Sequence, residues 1–377
     1  MNISRNSKII TAIVALIIVF VGWQMYQAKN QNDNVIKLGG AFDLTGDASA
    51  WGEVAKNGAI LAVDEINTHG GINGKQIQLI SEDMHSTSEG SVSAVSKLLN
   101  VDNVAAIIGP TWLDVYQGAA PLVKNNNVLM ITPDGGIEAI NGEAVNRNVF
   151  STWYRSDVKA KLIAQHMANA GVKRLAIAVQ NDSFYSDFSG RVKKYAQQFG
   201  ITVVDLELIN SGTSDMRTVV LKIKSLQPDA VMIGLYDEEG LLGFLRARQQ
   251  IDPQLVLYGD ELLADFVNKE PYTSLLDGVE FFHATNAADA FNTAYKARFG
   301  SDPIYGAAPA YDATMIIAKA LSDKGVGADF NDYLRQTTFR TVSYGDMTFD
   351  AIGGVKTANN QFDLKVLHAG VVKSIPW

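Results

Sequence analysis

The chain has 377 residues, 47% hydrophobic and 19% charged, with 32 glycines and 9 prolines, which excludes the low-complexity, collagen-like and disordered classes. At roughly 100 to 200 residues per domain this length predicts two domains, with enough core to need neither disulfide nor structural metal. The 32 basic and 40 acidic residues leave a net charge of -8, which argues against a phosphate-tracking nucleic-acid binder. There are no cysteines, so thiol catalysis, disulfides, iron-sulfur clusters and a lipid-modified N-terminal Cys are excluded. The histidines, His69, His85, His166, His283 and His368, show no metal-ligating spacing, so no His-based metal site and no cofactor are expected, an all-carboxylate site staying open.

Arg5 and Lys8 precede an apolar run from Ile9 to Trp23, broken by Thr11 and Gly22, the charged-then-apolar order of an export segment. Cleavage after Ala28 would put bulky Tyr26 where a small residue belongs. The run is short of the roughly 20 residues of a full span, but Trp23 and Tyr26 suit a membrane interface. Residues 1–28 are therefore expected to be a signal peptide or an N-terminal membrane anchor, followed by a polar linker at 29–34. The body would lie outside the cytoplasm in either case.

From Val35 onward, short β-branched runs alternate with stretches of helical spacing. Strands are predicted at 35–38, 76–80, 105–108 and 128–131, with helices over 58–67 and 90–99 between them. The rhythm restarts after Phe150 with strands at 175–179, 203–206, 230–234 and 255–258. This alternation predicts an α/β fold of two doubly wound lobes with parallel sheets. In such sheets ligands sit beyond the carboxyl ends of the strands. The loops there begin at Phe42, Gly109, Thr132, Asn181, Tyr236 and Gly259, and are rich in Thr, Asp, Gly and aromatic residues.

Several catalytic patterns are missing. Gly70-Gly71-Ile72-Asn73-Gly74-Lys75 has the wrong glycine spacing for a phosphate loop, and Gln76 stands where Ser or Thr would bind magnesium. No GxGxxG follows the first strand, and there is no GxSxG elbow, HExxH or EF-hand loop. Glu238-Glu239 and Asp260-Glu261 could perform acid–base work, but adjacent carboxylates are usually solvated loop residues. An enzyme is not expected.

Leu44-Thr45-Gly46, Trp51-Gly52, Asn57-Gly58-Ala59, Asp64-Glu65-Ile66-Asn67 and Gly70 to Lys75 follow one another in the order seen at the start of a known family. The blocks Ile107 to Pro110, Met130 to Pro133, Asn181-Asp182 with Tyr185, and Tyr258-Gly259 with Glu261 continue it. The chain thus resembles the periplasmic branched-chain amino-acid-binding (Leu/Ile/Val-binding-like) receptors over essentially all of residues 35 to 370. The resemblance implies the type I periplasmic-binding-protein architecture, in which two Rossmann-like lobes joined by three crossing strands close on a ligand. It places the crossings near 150–155, 282–285 and 341–343. Lobe one would then comprise 35–152 plus 284–341, and lobe two 153–283 plus 342–377.

The resemblance also implies a small polar ligand, an amino acid, amide or related compound, delivered to the permease and ATPase subunits of an ABC-type importer. A membrane-tethered sensor signalling to a partner protein is the alternative. The residues matching the family's site are Trp51 as the aromatic packing on the ligand, Tyr185 and Tyr236 as the wall of lobe two, and Glu261 as the ammonium partner. Core packing for Trp51 and Tyr185, and a helix cap or surface ion pair for Glu261, are the structural alternatives. Thr111, Leu113, Asp114, Thr132, Asp134 and Gly135 lie in the loops where the family holds a ligand carboxylate, yet hydroxyl donors are replaced there by Leu113, Asp114, Asp134, Gly135 and Gly136. Two ionised aspartates about 4 to 5 Å from a ligand carboxylate would each repel it by roughly 3 to 4 kcal/mol. The sequence therefore predicts an acidic pocket suited to a cationic, amide-like or polyhydroxylated ligand, unless both side chains point away.

Overall fold

The computed structural model describes residues 34–376 except 112, 142–147, 268, 286 and 358–360. The expected signal or anchor, residues 1–28, lies outside the described residues. Among the described residues no helix is long and apolar enough to cross a membrane.

The first half begins with β1 (Val35–Phe42), α1 (Ser49–Thr68), β2 (Gln76–Asp83), α2 (Ser88–Lys97), β3 (Ala106–Ile108), α3 (Leu113–Asn126), β4 (Leu129–Thr132), α4 (Ile137–Asn141) and β5 (Val149–Ser151). The strands form a parallel five-stranded sheet in the order β2-β1-β3-β4-β5. Ile108, Ile131 and Phe150 are fully buried, because helices cover both faces of a parallel sheet and leave no strand face to water. Helix α1 starts nine residues before the predicted one, since Ala48, Ala55, Ala59 and Ala62 extend its buried stripe on both sides of Gly58.

The second sheet is built from α5 (Ser156–Asn169), β6 (Arg174–Gln180), α6 (Ser183–Gln198), β7 (Thr202–Ile209), α7 (Arg217–Ser225), β8 (Ala230–Gly234), α8 (Glu238–Ile251), β9 (Val256–Gly259), α9 (Tyr272–Leu275) and β10 (Glu280–Ala284). The chain then returns to the first lobe with α10 (Asp289–Phe299), α11 (Ala307–Lys324), α12 (Asn331–Gln336), β11 (Phe339–Thr341), β12 (Gly345–Phe349) and β13 (Val355–Thr357). It ends in the second lobe with β14 (Phe362–His368) and β15 (Val371–Ser374), which complete a seven-stranded sheet in the order β15-β14-β10-β9-β8-β6-β7.

Helices α1 and α11 touch closely at Gly58, where a β-carbon would lie 2.0 Å from the carbonyl oxygen of Ala307. Only glycine lets the two backbones meet there, which gives the Asn57-Gly58-Ala59 block a packing role.

Two expectations change. The chain does not leave the first lobe at 341–343. Phe339, Tyr344, Met347, Phe349 and Val355 bury their side chains in the core of the first lobe, so the antiparallel sheet β11-β12-β13 belongs there. Residues 342–357 therefore move from lobe two to lobe one. The second sheet is also mixed, since β14 pairs antiparallel with β10 and β15 antiparallel with β14.

Candidate functional site

The carboxyl ends of β1, β3 and β4 on one side and of β6, β8 and β9 on the other open onto a cleft of about 290 Å³. Asp47, Ala48, Trp51, Thr111, Asp134 and Gly135 line it from the first lobe; Asp182, Phe184, Tyr185, Ser211, Tyr236 and Glu261 line it from the second. A second chamber of about 350 Å³ shares Trp51, Glu261, Leu262 and Tyr305 with the cleft and extends to His283, Asn292 and Asp302.

The floor on the first-lobe side is a tight polar network. Buried Asp43, just past β1, accepts hydrogen bonds from the Ser86 N–H and the Thr111 hydroxyl, both at 3.0 Å, while its own N–H donates to Thr111 Oγ1. Burial raises the Asp43 pKa to about 6 despite these donors. The Thr111 hydroxyl is thus committed to Asp43. Thr132 is fully buried beneath the cleft, with its hydroxyl between the carbonyls of Pro110 and Asp134. It does not line the cleft, which corrects its expected place in the ligand shell; its side chain braces the loop that carries Asp134. Leu113 and Asp114 open α3, and their side chains lie outside the described residues.

Asp134 does line the cleft. Burial, with the charges of Asp43 and Glu261 adding to it, pushes its pKa up to about 8. The raised value weakens the repulsion that an aspartate there would exert on a ligand carboxylate.

The second-lobe wall is aromatic. Asp182 caps α6 by accepting from the Tyr185 N–H at 2.7 Å, which fixes the first turn of the helix and sets the Tyr185 ring in the cleft. The ring is fully buried and stacks near Tyr236 at 6.3 Å, and Tyr236 is itself 38% exposed at the mouth. Gly234, the last residue of β8, makes room for it: a β-carbon there would sit 2.3 Å from Tyr185 Cε1.

Glu261 is 7% exposed. Its Oε1 accepts from the Tyr154 hydroxyl at 2.5 Å and lies 3.0 Å from Lys159 Nζ, and its Oε2 accepts from the Ala284 N–H at 3.4 Å. Lys159, on α5, is completely buried, pairs also with Asp260 at 2.9 Å and lies over the rings of Tyr154 and Phe188. Burial alone would lower the Lys159 pKa, but Asp260 and Glu261 outweigh it and hold the group above the usual lysine range.

Three aromatic contributors were not foreseen as site residues: Trp153, Phe184 and Tyr305. Trp153 meets Tyr305 edge-on at 4.5 Å, and the Tyr305 hydroxyl is 3.0 Å from that of Tyr344, which donates to the Thr152 carbonyl. Among the described residues no group of His, Cys, Asp and Glu is arranged to hold a metal.

A parallel sheet and a mixed sheet whose strand ends face a shared, aromatic-lined cleft define a two-lobed α/β binding protein. A family model for periplasmic binding proteins matches residues 35–363, and the chain belongs to that family. It is 27% identical over 337 residues to the leucine-, isoleucine-, valine-, threonine- and alanine-binding protein of Pseudomonas aeruginosa, covering 86% of this chain and 88% of that one. Its fold is similar to that of the branched-chain amino acid transporter substrate binding protein of Streptococcus pneumoniae in complex with isoleucine, with a TM-score of 0.75, 23% identity, and coverage of 90% of this chain and 99% of that one. A solute binding protein of an ABC transporter from R. palustris in complex with 4-hydroxybenzoate matches with a TM-score of 0.76 and 18% identity, over 90% of this chain and 96% of that one. The fold is thus the type I periplasmic-binding-protein fold that the sequence predicts.

Proposed function

We propose that this protein is an extracytoplasmic receptor that closes around a small ligand between its two lobes and delivers it to the permease and ATPase subunits of an ABC-type importer. The supporting observation is that both lobes furnish the cleft: Trp51, Asp134 and Gly135 on one side face Tyr185, Tyr236 and Glu261 on the other. A ligand that touches both walls favours the closed arrangement by the contacts it gains there, so binding and closure are one equilibrium. No reaction on the ligand is proposed, and no nucleophile–base pair lines the cleft among the described residues. The N-terminal segment would export the body or tether it to the outer face of the membrane.

Thermal denaturation of the purified protein with amino acids, aromatic acids, amides, polyamines and polyols tests this. A true ligand at 100 times its dissociation constant adds about 2.7 kcal/mol and raises Tm. The absence of a shift with every solute class would remove the receptor assignment.

A further inference from the structure

The acidic corner of the cleft already holds a cation. Lys159 Nζ lies 2.9 Å from Asp260 and 3.0 Å from Glu261, and Lys159 is buried with no exposure. Each Glu261 oxygen has an internal donor as well: Tyr154 and Lys159 on Oε1, the Ala284 N–H on Oε2. An incoming ammonium would have to share these acceptors with a resident one. At the other extreme, among the described residues no lysine or arginine lines the cleft, whereas Asp182 and Glu261 do, so a ligand carboxylate finds no counter-ion among them.

Two of the residues that line the cleft carry a donor without an acceptor among the described residues. The indole Nε1 of Trp153 and the hydroxyl of Tyr185 are buried and unpartnered among the described residues, in side chains 6% and 0% exposed. Leaving such groups unpaired costs about 1–3 kcal/mol each, which a ligand acceptor would recover. Around them stand the rings of Trp51, Phe184, Tyr236 and Tyr305, faces suited to a flat molecule.

Building on the receptor function proposed above, we infer that the cleft selects an uncharged, planar ligand carrying hydrogen-bond acceptors, with Trp153 and Tyr185 as donors and Lys159 as the built-in cation that removes the need for a ligand ammonium. Lys159 acts through Glu261 and Asp260 and is therefore a positioning residue.

The test is a matched series on one ring, measured by calorimetry and thermal shift on the full chain at pH 7: benzamide and acetophenone as neutral probes, benzoate as anion, benzylamine as cation and phenylalanine as zwitterion, with uracil and adenine as further neutral planar probes. Binding of at least one neutral planar probe, tenfold or more tighter than any charged one, is the expected result. Preference for benzoate, benzylamine or phenylalanine overturns the inference and leaves the receptor function standing, as does binding confined, in the solute screen above, to aliphatic amino acids, polyols or polyamines. No binding by any solute overturns both. Tyr185→Phe supplies the second readout. Because its hydroxyl has no protein partner, the ligand-free Tm should hold while affinity for the neutral probe falls about threefold to tenfold. A fall in ligand-free Tm with unchanged affinity would assign the hydroxyl to structure and overturn its role as donor.

Discussion

Lys159 Nζ sits 2.9 Å from Asp260 Oδ2 and 3.0 Å from Glu261 Oε1, so one buried ammonium serves two neighbouring carboxylates beneath the wall of the cleft. Replacing Lys159 by Met would leave two buried carboxylates without a cation, and breaking a buried pair from one side costs about 3–5 kcal/mol. Urea denaturation of Lys159→Met should show a loss of that order. Adding Glu261→Gln should restore part of it, and equal stability of the two variants would mean that the carboxylates are reached by water.

Gly234→Ala is expected to damage the site without touching a polar group. The added methyl would lie 2.3 Å from Tyr185 Cε1, so the ring must move toward the cleft or the strand must shift. Overpacking of this kind costs about 1–3 kcal/mol. Ligand affinity and Tm should fall together, and the double variant Gly234→Ala with Tyr185→Leu should recover stability but not binding.

Stability should decline from mildly acid to mildly alkaline pH. Asp43, Asp312 and Asp134 have pKa values raised from 3.8 to about 6, 7 and 8, in each case chiefly by burial. Between the unfolded and folded values the native state binds more protons than the unfolded chain, so unfolding free energy falls with rising pH. The fall begins near pH 4 and is complete above about pH 8. Chemical denaturation at pH 5, 7 and 9 checks the direction, and Asp134→Asn should flatten the part between 7 and 8.

Trp51→Ala should weaken ligand binding by about 2 kcal/mol or more, roughly thirtyfold, while leaving the fold intact, because the ring is a half-buried contact from the first lobe. Wild-type affinity in both Trp51→Ala and Glu261→Ala would place the ligand elsewhere, the adjoining chamber around His283 and Asn292 being the next location to probe.

Much of this molecule was legible in the chain itself. The eight predicted strands all correspond to observed ones within a few residues, because parallel strands buried on both faces spell unbroken apolar runs such as Ala230–Gly234. The C-terminal antiparallel strands were not read: Gly345–Phe349 alternates weakly, and Phe362–His368 has charged Asp363 and Lys365 on a sheet that neighbours cover. In the cleft, loops after strands gave Trp51, Asp134, Gly135, Tyr185, Tyr236 and Glu261 their positions. Lys159 carried no signal, since a lysine in a helix reads as solvated until its carboxylate partners arrive from a strand end about 100 residues later. Trp153 and Tyr305 come together only because the chain crosses between lobes, a contact without local pattern.

Trp51 and Trp153 look into one cleft from different parts of the chain. Their indoles make the site its own optical reporter. A flat molecule settling among them would displace water and alter the local field, so occupancy can be followed by intrinsic emission without any label, and lobe closure can be timed by stopped flow on the same signal.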